Sequence, residues 1–156
     1  GVVFEDGGVT ITAFEVDHGG EQLDAFGYRI DYNGRSAVLS GDTTFNENLI
    51  RHAQGVDLLV HEVTHGMGDG FERPNLERIR RNHTVPEDAG VVFTRTRPKL
   101  AVYTHILLFG DATADDLIPA TRPHYDGPLI VGEDLMQFDI GEEVSVNQYS
   151  PGREAG

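Results

Sequence analysis

Short apolar runs separated by polar turns fill most of the chain. Residues 9–16 alternate apolar and polar side chains, the period of a half-buried strand. Phe26-Gly27-Tyr28-Arg29-Ile30 and Ser36-Ala37-Val38-Leu39 flank Asn33-Gly34. An Asn-Gly pair between two such runs predicts a hairpin, because both turn positions need positive φ. Residues 44–53 predict a helix, with Phe45, Leu49, Ile50 and Ala53 on one face and Gly55 past its end. Asp57-Leu58-Leu59-Val60 reads as a short buried strand. At residues 82–84 cap-type side chains precede Pro86, Glu87 and Asp88, the signature of a helix N-terminus. Ala89, Val92, Phe93 and Thr96 continue one face until Pro98. Leu100-Ala101-Val102-Tyr103 is a further buried strand, residues 115–121 a short helix, and residues 129–131, 136–140 and 144–147 three closing strands. Short strands with helices between some of them predict the α/β class, a mixed sheet with helices on one face. One domain is expected over residues 1–149, with residues 150–156 a disordered tail.

Composition narrows this picture. A chain of 156 residues builds one domain with a sizeable core. The net charge of −14 repels phosphates unless the basic residues cluster. They cluster once, at Arg73, Arg78, Arg80 and Arg81, which read as a solvated loop or helix face, or else as a phosphate site. With no cysteine, any metal must sit on histidine and carboxylate ligands. No apolar run reaches the roughly 20 residues of a spanning helix, so no membrane partner is expected. The first residues show no signal-peptide pattern, and the compartment stays open.

Polar residues follow the apolar strands repeatedly: Asp17-His18-Gly19, Ser40-Gly41-Asp42-Thr43, His61-Glu62-Val63-Thr64 and Thr104-His105. Strand ends are where an α/β sheet gathers ligands. Four such ends bearing His, Asp or Glu form a candidate metal cluster. Each member alone has a plainer reading. A strand-end histidine can be a hydrogen-bonded structural residue, and Asp42 can be the cap of the helix near Thr44. His52 and His124 read as surface residues, and His65 as a loop residue.

The ordered set, together with Phe26-Gly27-Tyr28-Arg29-Ile30, Asn82-His83-Thr84 and Tyr103-Thr104-His105-Ile106, resembles the C-terminal half of the metallo-β-lactamase superfamily. The branch it resembles contains ribonuclease Z. The resemblance implies the C-terminal part of an αββα sandwich and a metal-dependent hydrolase. It also implies two divalent ions, zinc foremost, with manganese or iron compatible. His18, Asp42 and His105 would be the metal ligands, with Asp42 bridging. His83 and Glu62 would be the catalytic pair, with Glu62 orienting His83 against the scissile group. The two ions would share a water whose pKa falls toward about 7, and its hydroxide would attack an ester, lactone or phosphodiester.

Two departures shape the expectation. The family's His-x-His-x-Asp-His motif is absent from this chain, leaving each ion two protein ligands where about three are usual. This chain alone is therefore expected to bind metal weakly and to be inactive, needing a missing N-terminal half or a homo-oligomer. Only Asp31-Tyr32-Asn33-Gly34-Arg35 joins the two hairpin strands, where bacterial ribonuclease Z carries a tRNA-gripping arm. With the acidic charge, this favours a small-molecule ester or phosphodiester substrate over nucleic acid. A ribonuclease Z-type tRNA 3′-endonuclease and a non-catalytic degenerate domain are the alternatives.

Overall fold

The computed structural model describes residues 1–20, 24–66 and 73–148. Among these residues nine strands and four α-helices follow in the order β1 (Val2–Asp6), β2 (Val9–Val16), β3 (Ala25–Tyr32), β4 (Arg35–Leu39), α1 (Glu47–His52), β5 (Leu58–His65), α2 (Arg73–Arg80), α3 (Pro86–Thr96), β6 (Leu100–Leu108), α4 (Leu117–Thr121), β7 (Leu129–Val131), β8 (Gln137–Ile140) and β9 (Val144–Asn147), with one 3-10 turn at Ala114–Asp116. The first seven strands form one sheet in sequence order. Pairing is antiparallel from β1 to β4 and parallel from β4 to β7. The α/β class and the mixed sheet follow the expectation, and so does the Asn33-Gly34 hairpin, whose residues have φ of 47° and 71°.

The helices cover one face. Asn46 caps α1 by accepting the N–H groups of Asn48 and Leu49, a bond set worth about 1 kcal/mol. The helix therefore starts later than the apolar periodicity suggested, and Asp42 is not its cap. Pro86 opens α3, and Arg97 closes it in the left-handed region just before Pro98. Leu49 and Ile50 of α1 and Val92 and Phe93 of α3 pack on Phe14, Val38, Leu59, Val63 and Tyr103 of the sheet. Burial of each such side chain stabilises the fold by about 1.5–3 kcal/mol.

The opposite face is covered differently. The β8–β9 hairpin lays Phe138, Ile140 and Val144 over Leu58, Leu100 and Val102. Further along, Gly27 approaches Phe14, and Arg29 donates to the His52 carbonyl of α1, so both face the helices. The alternating residues Phe26, Tyr28 and Tyr32, with Leu39 paired to Tyr28, point the other way and are exposed. The expected tail lies outside the described residues. Among the described residues, no helix is long and apolar enough to cross a membrane.

Two elements escaped the sequence reading. β1 is an edge strand exposed along its length, joined to β2 by Gly7-Gly8, both at positive φ. The arginine cluster falls on α2 and the turn after it.

Candidate metal centre

Strand direction brings the chemistry to one edge. β2 and β4 are both antiparallel to β3, and β4, β5 and β6 are mutually parallel. The C-terminal ends of all four therefore open on the same side. His18 and Asp42 stand just past the ends of β2 and β4, while the His61-Glu62 pair and His105 lie within β5 and β6, whose pairing runs on to His65 and Leu108.

Asp42 follows a backbone position that only glycine fills easily. Gly41 has φ of 62°, and a Cβ there would lie 2.4 Å from the Phe26 carbonyl oxygen. The chain turns sharply at this point and carries Asp42 off the strand end, half-exposed at 41%. His105 arrives by another device. Glu62 pairs with Thr104 and Val63 with Ile106, so His105 is the extra residue of a β-bulge. Its φ of 41° turns it out of the ladder. There Nε2 lies 3.3 Å from Asp42 Oδ2.

His18 and His83 complete the cluster. One ligand atom from each of His18, Asp42 and His83 lies within 4.8 Å of the others. The His83 ring centre is 5.0 Å from that of His18 and 5.7 Å from that of His105. Three imidazoles thus surround one carboxylate. His18 Nδ1 lies 2.7 Å from the Asn82 carbonyl, so this nitrogen carries the proton and leaves Nε2 with a lone pair. A ring nitrogen tied to a carbonyl or carboxylate while the other is free is the usual support of a metal-binding histidine.

Glu62 stands behind the cluster, 1% exposed. Its Oε1 accepts the Thr43 N–H and the Thr84 N–H, each at 3.1 Å, and lies 3.2 Å from His83 Nδ1. With two donors already on this oxygen, His83 is the third, protonated at Nδ1 with Nε2 left as an acceptor. Thr84 Oγ1 donates to the Thr43 carbonyl at 2.6 Å. Cap-type side chains before Pro86 thus join the site instead of capping α3, whose cap residue, Val85, offers no side-chain bond. Burial pushes the Glu62 carboxyl up to about 8; the Thr43 and Thr84 N–H groups pull it down, and the Asp42 charge adds to the rise. Burial, with His18 and His105 nearby, lowers His83 despite the Asp42 charge. The pair is held toward its uncharged form.

Not every strand-end residue belongs here. His61 faces the helices, its ring edge-on to Phe93, and Nδ1 bonds the Glu62 carbonyl at 2.6 Å. Burial lowers it to about 4, so it is a neutral core residue. His52 is not a free surface residue: it stacks on Phe14 with ring centres 4.3 Å apart. Asn82 went unnoticed as a partner of His18, since a backbone carbonyl leaves no mark in a sequence.

The donor set fits a divalent cation of borderline softness, being imidazole and carboxylate with no thiolate. A mixed sheet that gathers such donors along one edge is the architecture of the metallo-β-lactamase fold. The chain belongs to the beta-lactamase superfamily, on its ribonuclease Z-like branch: the model of the beta-lactamase superfamily domain matches residues 1–106. It is 31% identical over 105 residues to ribonuclease Z of Haloarcula marismortui, covering 67% of this chain and 32% of that protein. To ribonuclease Z of Mycolicibacterium gilvum it is 29% identical over 144 residues, covering 90% of this chain and 49% of that protein. The chain thus spans about half or less of these two relatives. Among solved structures, the metallo-beta-lactamase fold protein YhfI of Bacillus subtilis superposes with a TM-score of 0.67 at 20% identity, over 83% of this chain and 48% of that one. The short form of human tRNase Z superposes with a TM-score of 0.52 at 21% identity, over 70% and 41%.

These relatives overturn one expectation. Net charge and the short β3–β4 turn argued against nucleic acid and for a small-molecule substrate, yet the matched proteins are ribonucleases. The physical error was to weigh the total charge above the one cluster of cations, read mainly as a solvated face. A charge of −14 says nothing of where the cations lie, and four of the 12 fall within residues 73–81.

Proposed function

We propose that this chain is the part of an RNA phosphodiesterase that contributes His18, Asp42 and His105 as metal ligands and His83 with Glu62 as its acid–base pair. The observation that carries the proposal is the convergence of three imidazoles on Asp42, with a buried carboxyl behind one of them. The ribonuclease Z relatives point to RNA as the substrate. The remaining ligands would come from the part of the relatives' length this chain does not span. The exposed face of Phe26, Tyr28, Tyr32 and Leu39 is the surface we assign to packing against it.

When bound, a pair of divalent ions, zinc by preference with manganese or iron compatible, supplies Lewis acidity and a water acidified toward a pKa of about 7. Asp42 suits a shared position because it has two oxygens and a charge that offsets the cations. His18 is kept by the Asn82 carbonyl in the tautomer that offers Nε2. Glu62 fixes His83 through Nδ1, so that Nε2 alone faces the reacting group. Alone, that nitrogen is unprotonated at neutral pH. A phosphodiester placed beside it brings negative charge, which favours a proton on Nε2. From there the proton passes to the leaving oxygen as the P–O bond breaks.

A second reading takes His83 as a ligand, because its ring nitrogen, and not that of His105, belongs to the tight group with His18 and Asp42. One set of variants of the full-length protein separates the two. Asp42→Ala should lose metal, measured by elemental analysis, together with RNA cleavage. His83→Ala should keep its metal and slow cleavage by about 10²- to 10⁴-fold if His83 is the acid. Loss of metal from His83→Ala makes it a ligand. A full-length protein that binds no metal sinks the proposal.

A further inference from the structure

We infer that α2 and the turn after it form a phosphate-binding strip that leads an RNA strand into the His83 cluster. This rests on the RNA reading above. Three observations carry it.

The first is unspent charge. Among the described residues most other cations are engaged: Arg29 with Asp31, Arg95 with Glu47, and Lys99 with Asp57. Arg51 bonds Asn48, and Arg122 bonds the carbonyls of Tyr125 and Gly127. Arg78, Arg80 and Arg81 are exposed, and no carboxylate among the described residues pairs with them.

The second is that packing does not require them. Leu76 and Ile79, three apart, are the half-buried residues of this stretch, while the arginines project outward. One cation near a helix C-terminus is favoured by the helix dipole. Arg78 and Arg81, three positions apart, repel each other. Glu77, three and four positions before Arg80 and Arg81, offsets such repulsion through space, but no ion pair with it forms among the described residues, so the guanidinium donors stay open to an anionic strand.

The third is placement. The Ile79 carbonyl accepts the N–H groups of both Asn82 and His83, and the Arg81 carbonyl accepts the Gly19 N–H at 3.1 Å. The Asn82 carbonyl holds His18. The end of α2 is therefore tied by backbone bonds to two imidazoles of the cluster. With consecutive Cα atoms about 3.8 Å apart, Arg80 starts no more than about 11 Å from His83 along the chain. A strand whose scissile phosphate sits at the imidazoles would carry neighbouring phosphates past these guanidiniums.

The test is the salt dependence of binding of a labelled single-stranded RNA oligonucleotide to the full-length protein. In the triple variant Arg78→Gln, Arg80→Gln and Arg81→Gln, the slope of log affinity against log salt should shrink by about 2, since each phosphate contact on a single strand contributes about 0.7. The matching triple lysine variant should restore it, and Arg97→Gln, remote in sequence from this strip, should leave it unchanged. Thermal midpoint and metal content report that the variants are folded. An unchanged slope in the triple glutamine variant, in a protein that cleaves RNA, overturns the strip and spares the RNA reading. An equal drop per charge from Arg97→Gln also overturns it, as a net-charge effect. An unmodified protein that neither binds nor cleaves RNA overturns both.

Discussion

Replacing Glu62 tests how the cluster is held. Its Oε1 takes three donors from two loops, and two of them are N–H groups of fully buried residues, Thr43 and Thr84. Glu62→Ala strands both. An unpaired buried donor costs about 1–3 kcal/mol, so the pair costs about 2–6 kcal/mol before any cavity. That is a large share of a typical stability of about 5–15 kcal/mol. Glu62→Gln retains an oxygen for all three donors and puts an amide nitrogen where Oε2 is buried without a partner, at about 1–3 kcal/mol. Because burial already favours the uncharged carboxyl, the amide loses no charge the fold depends on. Urea unfolding of the full-length protein, with hydrogen exchange at the amides of residues 43 and 84, separates the two. Alanine should be the more destabilising and should speed exchange at both amides, while glutamine keeps them protected. If alanine were no worse than glutamine, or if those amides exchanged no faster, Glu62 would not be the tie between the Asp42 and His83 loops.

Two further outcomes follow from local geometry. Gly41→Ala should cost at least about 1–2 kcal/mol for the left-handed backbone alone, and more because of the Phe26 carbonyl. Metal content should fall as Asp42 is displaced, and a variant with unchanged melting and metal content would contradict the geometry. At the bottom of the sheet, burial works against the Asp57 carboxylate, but Lys99 and the Ser36 N–H outweigh it and hold the group below its ordinary value. Its contribution is therefore complete above the unfolded pKa of about 3.9 and is lost as pH falls through the lower folded value. Asp57→Asn should flatten that part of the acid limb in urea midpoints taken from pH 7 to 3; an identical acid limb counts against the pair.

Much of this was legible in the residue pattern, for reasons that differ by element. β2 and β3 show themselves because their side chains are sorted between a helix-covered face and a more open one, β5 and β6 because they begin as apolar runs buried on both faces. The Asn33-Gly34 turn shows itself because few other residues take two positive φ values in succession. β1 was missed because an edge strand exposed throughout has no alternation to detect, although Gly7-Gly8 marks its turn. The start of α1 was misplaced because Asn46, and not the first apolar residue, decides where the helix begins. At the site, side-chain chemistry after apolar runs marked His18, Asp42, the His61-Glu62 pair and His105 as candidates, and the family resemblance alone assigned their roles. The sequence was silent on what depends on backbone atoms from distant segments: the Asn82 carbonyl under His18, the two amides on Glu62, and the extra residue in β6.

That extra residue has a consequence for how the gene tolerates insertions and deletions. Removing one codon at position 105 would leave a perfectly regular ladder between β5 and β6, and by hydrogen bonding alone the sheet would lose nothing. Yet the shortened strand would pass straight through the place where the imidazole now swings out. The irregularity is thus a spacer whose length, more than its composition, sets where that ring stands beside Asp42.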